Sequence, residues 1–143
     1  MYKKDFKRWH GKKLEIDDIK DRPFFHEREI WFCYLGTNVG FEQDGSPEHF
    51  LRPIVILKKF TNEIFWGIPL TRPKKNKKVS KNSLKYYFSS SFDKGVESLA
   101  ILSQIKLIDA KRLATHIGVM SEDDFSSLRQ KIKELIPWFF VPW

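Results

Sequence analysis

Arg52-Pro53-Ile54-Val55-Ile56-Leu57-Lys58-Lys59-Phe60-Thr61-Asn62-Glu63-Ile64-Phe65-Trp66-Gly67-Ile68-Pro69-Leu70-Thr71 is the stretch on which the fold turns. Residues 53–57 are apolar throughout, and residues 64–71 are a second run rich in branched and aromatic side chains. The polar Thr61-Asn62-Glu63 joins them. Two β-forming runs on so short a link predict an antiparallel hairpin. Its open end then brings Arg52, at the start of one strand, beside Thr71, at the end of the other.

Upstream of the hairpin, Glu29-Ile30-Trp31-Phe32-Cys33-Tyr34-Leu35 predicts a first strand that stops at Gly36. Gly36, Asn38, Gly40, Asp44-Gly45 and Pro47 favour turns, so residues 36–48 are expected to form a long loop. Residues 1–26 are polar and basic. Leu14, Ile16 and Ile19 give them a weak helical pattern that Pro23 should stop, and they are expected to form an N-terminal helical arm, with residues 27–143 as the main domain.

Downstream, Arg72-Pro73-Lys74-Lys75-Asn76-Lys77-Lys78 is the most basic, strand-breaking stretch. Strand pattern resumes over residues 84–88, continues as an expected strand pair at 98–102 and 105–108, and ends with a short strand at 117–119. Ser121 is placed to cap a C-terminal helix, with Asp123 and Asp124 in its first turn and Phe125, Leu128, Ile132 and Leu135 at helical spacing before Pro137. The tail Trp138-Phe139-Phe140-Val141-Pro142-Trp143 is apolar enough to be expected to dock on the domain or on a partner. The β content suffices for a small closed barrel, and no internal repeat is visible.

The 143 residues fit one domain with a real core. Hydrophobic residues at 41% and charged residues at 31% are the balance of a globular chain. A formal charge of +8 favours an anionic partner or a basic surface kept for solubility. No apolar run is long enough to span a bilayer and no secretion signal opens the chain, so a cytoplasmic protein without membrane attachment is expected. Cys33 is the lone cysteine, which rules out an internal disulfide and fits a reducing compartment. His10, His26, His49 and His116 lack metal-ligand spacing, and neither a metal nor a cofactor is expected.

No glycine-rich phosphate loop, HExxH or GxSxG motif is present. What remains is polar residues at the ends of apolar strands. A guanidinium at Arg52 can grip a phosphate with paired hydrogen bonds, Thr71 adds a hydroxyl, and Glu42 lies in the loop feeding the same edge. A cation, a hydroxyl and a carboxylate converging on one rim suit phosphodiester cleavage by the substrate's own 2′-hydroxyl. Ordinary strand-end capping accounts for the same residues, and spacing alone favours that plainer explanation.

Five segments in order resemble the MazF/PemK family of toxins, over roughly residues 29–135. Asn38-Val39-Gly40-Phe41-Glu42-Gln43 is similar to the family's Gly-Ser-Glu-Gln loop, and Arg52-Pro53-Ile54-Val55-Ile56 to its Arg-Pro-Val-Val-Val strand. Pro69-Leu70-Thr71 stands where the family has its catalytic threonine. Leu102-Ser103-Gln104-Ile105-Lys106-Leu107-Ile108-Asp109 with Arg112-Leu113 is similar to the Asp/Glu-Gln-Ile-Arg-x-Ile-Asp segment, and Gly118-Val119-Met120-Ser121 fits the approach to the last helix.

The resemblance implies a mainly β, SH3-like barrel of the MazF/PemK/CcdB type with a packed C-terminal helix. It implies a sequence-specific, metal-independent endoribonuclease that cuts single-stranded RNA (mRNA), acts as a homodimer and is restrained by a cognate antitoxin. Arg52 and Thr71 would be catalytic, with Glu42 in support. Lys74, Lys75, Lys77, Lys78, Gln43 and Gln104 would bind RNA. Three departures stand out: the arm of residues 1–26, the longer loop at 44–51, and Ser103 in place of the usual acidic residue. Trp9-His10 in the arm offers either plain packing or a ring to stack on a base. Two other readings share the fold: a non-catalytic SH3-like module binding RNA or protein, and a gyrase-binding toxin of the CcdB kind, which lacks the arginine and threonine pairing.

Overall fold

A computed structural model describes residues 3–73, 83–93 and 95–137. The hairpin is its centre. β2 (Leu51–Lys59) and β3 (Ile64–Thr71) pair antiparallel with Ile54 opposite Pro69 and Val55 opposite Ile68. The apolar run of β2 has a simple cause: both of its faces are covered. Ile54 and Ile56 point into one core with Phe25, Trp31, Cys33, Phe65 and Ile108, while Val55 points into the other with Ile30, Ile68, Leu70 and Ala100. A strand buried on both sides cannot alternate with polar residues. Each such isoleucine or valine contributes about 1.5–3 kcal/mol by leaving water.

Two prolines sit inside this hairpin, where a central strand usually excludes them. Pro53 pairs with Phe32 of β1 (Glu29–Tyr34). Pro69 lies where the other edge of β3 changes partner: β6 (Lys106–Asp109) ends its pairing at Gly67, and β5 (Val96–Ile101) begins at Leu70. Pro69 thus faces a break in the pairing along that edge of β3.

The strand order is β4-β5-β3-β2-β1-β7, with β6 also on β3 and all pairings antiparallel. β4 is Tyr87–Asp93 and β7 is Leu113–Val119. The sheet curls until its two end strands meet, where a Cβ built on Gly118 of β7 would lie 3.5 Å from the Phe92 ring of β4. The result is a mainly β, barrel-like fold with one helix at each end of the chain. Helix α2 (Glu122–Leu135) closes the second core with Phe125 and Leu128, and Ser121 Oγ accepts the Asp124 N–H at 3.1 Å as its cap.

Several expectations need correction. The strands at 98–102 and 105–108 do not pair with each other. A short 3₁₀ turn, Leu102–Gln104, carries the chain onward without reversing it, so β5 and β6 lie in succession along the edge of β3. Residues Ser83–Tyr86 form a 3₁₀ turn, and β4 starts only after it. The last strand begins at Leu113, earlier than residue 117; its Thr115 and His116 are polar and exposed, which hid it from a hydrophobicity reading. In the arm, helix α1 (Phe6–Asp17), capped by Asp5, ends before Pro23 is reached, and its buried face is Trp9 and Ile16 while Leu14 and Ile19 are exposed. Phe25 lies fully buried in the first core. The basic Lys74, Lys75, Lys77 and Lys78 and the aromatic tail at 138–143 lie outside the described residues.

Candidate functional site

The rim at the open end of the hairpin is built from β2, β3 and the loop of residues 36–50. Continuing the Ile54–Pro69 register by two residues sets Arg52 across from Thr71. The Arg52 side chain reaches the same strand end, where its Nη1 donates to Leu70 O at 3.2 Å. Its Nε donates to Asp44 O in the loop. Arg52 is half-buried, and burial pushes its guanidinium below the ordinary arginine range, with the Asp44 charge opposing that shift. Both of its recorded hydrogen bonds go to neutral carbonyls, and no described carboxylate forms an ion pair with it. Asp44 spends its carboxylate elsewhere, on Lys4 at 3.2 Å and on the Asn38 N–H at 2.6 Å. A cation held rigidly, with no ion-pair partner among the described residues, is chemically able to receive an anion.

Thr71 is half-buried and pairs with Leu99 of β5, so strand pairing fixes its backbone. With Arg72 it stands at the edge of a hollow of about 110 Å³ walled by Phe32, Phe92 and Ile117. Two larger clefts flank α1, one of them reaching the loop at residues 48–51, and neither is lined by Arg52 or Thr71.

The loop is held by its own backbone and by distant elements. Glu42 is exposed, and its Oε1 accepts the Val39 N–H at 3.0 Å. Gln43 N–H donates to Gln104 Oε1 at 3.3 Å, and Gln104 Nε2 donates to Phe41 O at 3.1 Å, so Gln43 and Gln104 meet each other. Two glycines make the path possible. At Gly45 a Cβ would fall 1.9 Å from Phe50 O, and Gly36 has φ +76° with Trp9 packed where its Cβ would be. Trp9 is buried there with its ring 5.1 Å from that of Phe50. It is therefore a packing residue, and the stacking role considered for it is excluded by burial.

Sequence reading missed three contributors. Lys106 is half-buried; burial, then the neighbouring Arg112, push its ammonium below the ordinary lysine range, while Cys33 and Glu42 pull it back up. Its place two residues after Gln104 was the available signal. Lys4 of the arm donates to Asn38 O at 2.6 Å and Gly40 O at 3.0 Å. Asp44 acts on Arg52 through a backbone carbonyl, for which no sequence signal exists. Among the described residues no group of three or more His, Cys, Asp or Glu side chains is placed to hold a metal ion, and no helix is long and apolar enough to cross a membrane.

Fold and rim together define a small β-barrel-like protein with half-buried cations beside a threonine at one edge. Over residues 26–136 the chain matches the model of a family described as PemK-like, MazF-like toxins of type II toxin–antitoxin systems, and it belongs to that family. Membership makes it the toxin half of such a pair and implies an antitoxin partner. The match begins after α1, so the helical arm lies outside it. None of the curated proteins matches the chain.

Proposed function

We propose that this toxin is an endoribonuclease that cuts single-stranded RNA at short sequences, without a metal ion, as a cytoplasmic homodimer restrained by its antitoxin. The observation that carries the reading is Arg52: a half-buried guanidinium held on two carbonyls, unpaired with any described carboxylate, across from Thr71. In the reaction the substrate's 2′-oxygen attacks phosphorus and the bond to the 5′-oxygen breaks. The proton leaves the 2′-hydroxyl and ends on the 5′-oxygen, giving a 2′,3′-cyclic phosphate and a 5′-hydroxyl. Arg52 offsets the charge that grows on the phosphoryl oxygens, and Thr71 donates to a non-bridging oxygen. Each contact of this kind is commonly worth roughly 10²- to 10³-fold in rate. Glu42 supports the loop with one oxygen, and its other oxygen is the acceptor left for the 2′-hydroxyl proton.

Gln43 and Gln104 line the path of the strand, and Lys74, Lys75, Lys77 and Lys78 are assigned to its phosphates. Replacing those lysines should flatten the salt dependence of RNA binding by roughly 0.7 log units per lost contact. The decisive experiment incubates the purified chain with a long single-stranded RNA in EDTA and maps the fragment ends. Discrete fragments with cyclic phosphate termini, and no scission where the attacking position is 2′-deoxy, support the reading. A requirement for Mg²⁺, or a monomer by light scattering at micromolar concentration, removes the corresponding part of it.

A further inference from the structure

The loop between β1 and β2 holds up a side chain that neither the fold nor the cleavage reaction uses. Phe41 is 101% exposed, the highest value among the large hydrophobic residues described. A single apolar residue on a surface is ordinary, and on a slack loop the ring would be free to fold down onto the sheet. This loop is not slack. Four consecutive backbone carbonyls are engaged: Asn38 O and Gly40 O by Lys4 Nζ at 2.6 and 3.0 Å, Val39 O by the Glu42 N–H at 3.0 Å, and Phe41 O by Gln104 Nε2 at 3.1 Å. The Val39 N–H adds a fifth bond, to Glu42 Oε1. The arm, the β5–β6 connection and the loop itself thus converge to fix the backbone while the ring stays in water.

We propose that Phe41 is a stacking platform for one base of the RNA strand beside the scissile phosphate, an assignment that rests on the cleavage function proposed above. The geometry points to this ligand in three ways. Phe41 is three residues from Asp44, whose carbonyl holds Arg52, so its backbone lies within about 10 Å of the residue that anchors the phosphate contact. Its surroundings are polar, with Glu42 and Gln43 next to it in the chain and Lys4 Nζ on the adjoining Gly40 carbonyl, as suits a strand whose bases present π-faces above an open, wet surface. With the loop backbone already held, only the two side-chain torsions of Phe41 remain to be ordered on contact, a small loss for a platform. In the family pattern of Gly-Ser-Glu-Gln this position is serine, so the ring is a departure of this chain.

The experiment uses the full chain with Phe41→Ala and Phe41→Trp, a single-stranded RNA of mapped cleavage site, and the same RNA with one abasic nucleotide at each position flanking the cut. Circular dichroism checks that the variants fold. Phe41→Ala should raise KM and the RNA Kd on the order of 10-fold with kcat little changed, and Phe41→Trp should restore both. At one flanking position the abasic RNA should bind the parent and Phe41→Ala alike, because the partner of the ring is gone. If Phe41→Ala binds and cuts as the parent does, the ring serves a protein partner instead; the stacking assignment falls and the cleavage function stands. A drop in kcat that Phe41→Trp does not repair makes the residue a mere support of the loop, which also overturns the assignment. A parent chain that neither binds nor cuts RNA overturns both readings.

Discussion

An arginine lies at each end of the β2–β3 hairpin, Arg52 within β2 and Arg22 brought in from the segment before β1, and the two are held in opposite ways. At the turn end, Arg22 meets Asp109 with Nε and Nη2 on separate carboxylate oxygens, both at 2.9 Å, and Asp109 also accepts the Lys111 N–H at 2.8 Å. The hydrogen bond to Asp109 raises the Arg22 pKa, and the same bond lowers that of Asp109. At the open end, Arg52 has carbonyls for partners, and burial lowers its pKa. A guanidinium matched to a carboxylate has its charge satisfied inside the protein and acts as a staple. One fixed on carbonyls keeps its charge for a ligand.

The largest test of this contrast is a pair of substitutions. Arg52→Ala should slow RNA cleavage by roughly 10²- to 10³-fold or more while the chain stays folded, and Thr71→Val should cost nearer the lower figure, about 10²-fold. Arg22→Ala should leave the rate at the parent value and slightly lower the melting temperature. Equal rate losses for the two arginines would break the comparison.

Next in size is the joint between arm and loop. Gly36→Ala forces a Cβ to within 1.9 Å of the Trp9 ring at a positive φ, and it should destabilise the chain by about 2–4 kcal/mol in urea unfolding, the sum of overpacking and backbone strain. A cost near zero would show that α1 yields easily and does not set the loop.

Smaller still is the acid limb of stability. Because the folded pKa of Asp109 is depressed, its contribution is present above the ordinary aspartate value of 3.8 and is lost as pH falls through the lower folded value. Asp109→Asn should therefore flatten the loss of stability below about pH 4, whereas no such change should follow from Arg52→Ala. At the bottom of the scale lies Cys33, whose thiol burial pushes up to about 12. It should resist a disulfide reagent at pH 8 until denaturant is added; rapid reaction in the native state would mean the first core opens readily.

What was legible in the sequence follows from what hydrophobicity can report. β2 and β3 were legible because both of their faces are buried, and α2 because Phe125 and Leu128 fall on one face behind a serine cap. β7 was cut short because its exposed Thr115 and His116 are polar, and the partners of β5 and β6 were misjudged because apolar runs do not name their neighbours. At the rim, the closeness of Arg52 to the end of β3 follows from hairpin pairing alone. The remaining contacts there are side chains on carbonyls over long separations, Lys4 to Gly40 and Gln104 to Phe41, and carbonyls leave no trace in a sequence.

The order in which the sheet is assembled has a consequence for synthesis. β1 pairs with β7, from Glu29 opposite Val119 to Cys33 opposite Leu113, so the first described strand waits for the last described one. The end of β3 that bears Thr71 waits for Leu99, and the loop bearing Glu42 waits for Gln104. A nascent chain can close the β2–β3 hairpin early, since that pairing is local, but the distant pairings carry the larger entropic cost of loop closure and come late. The rim is thus completed only after Gln104 has been made, well after the hairpin that carries Arg52 and Thr71.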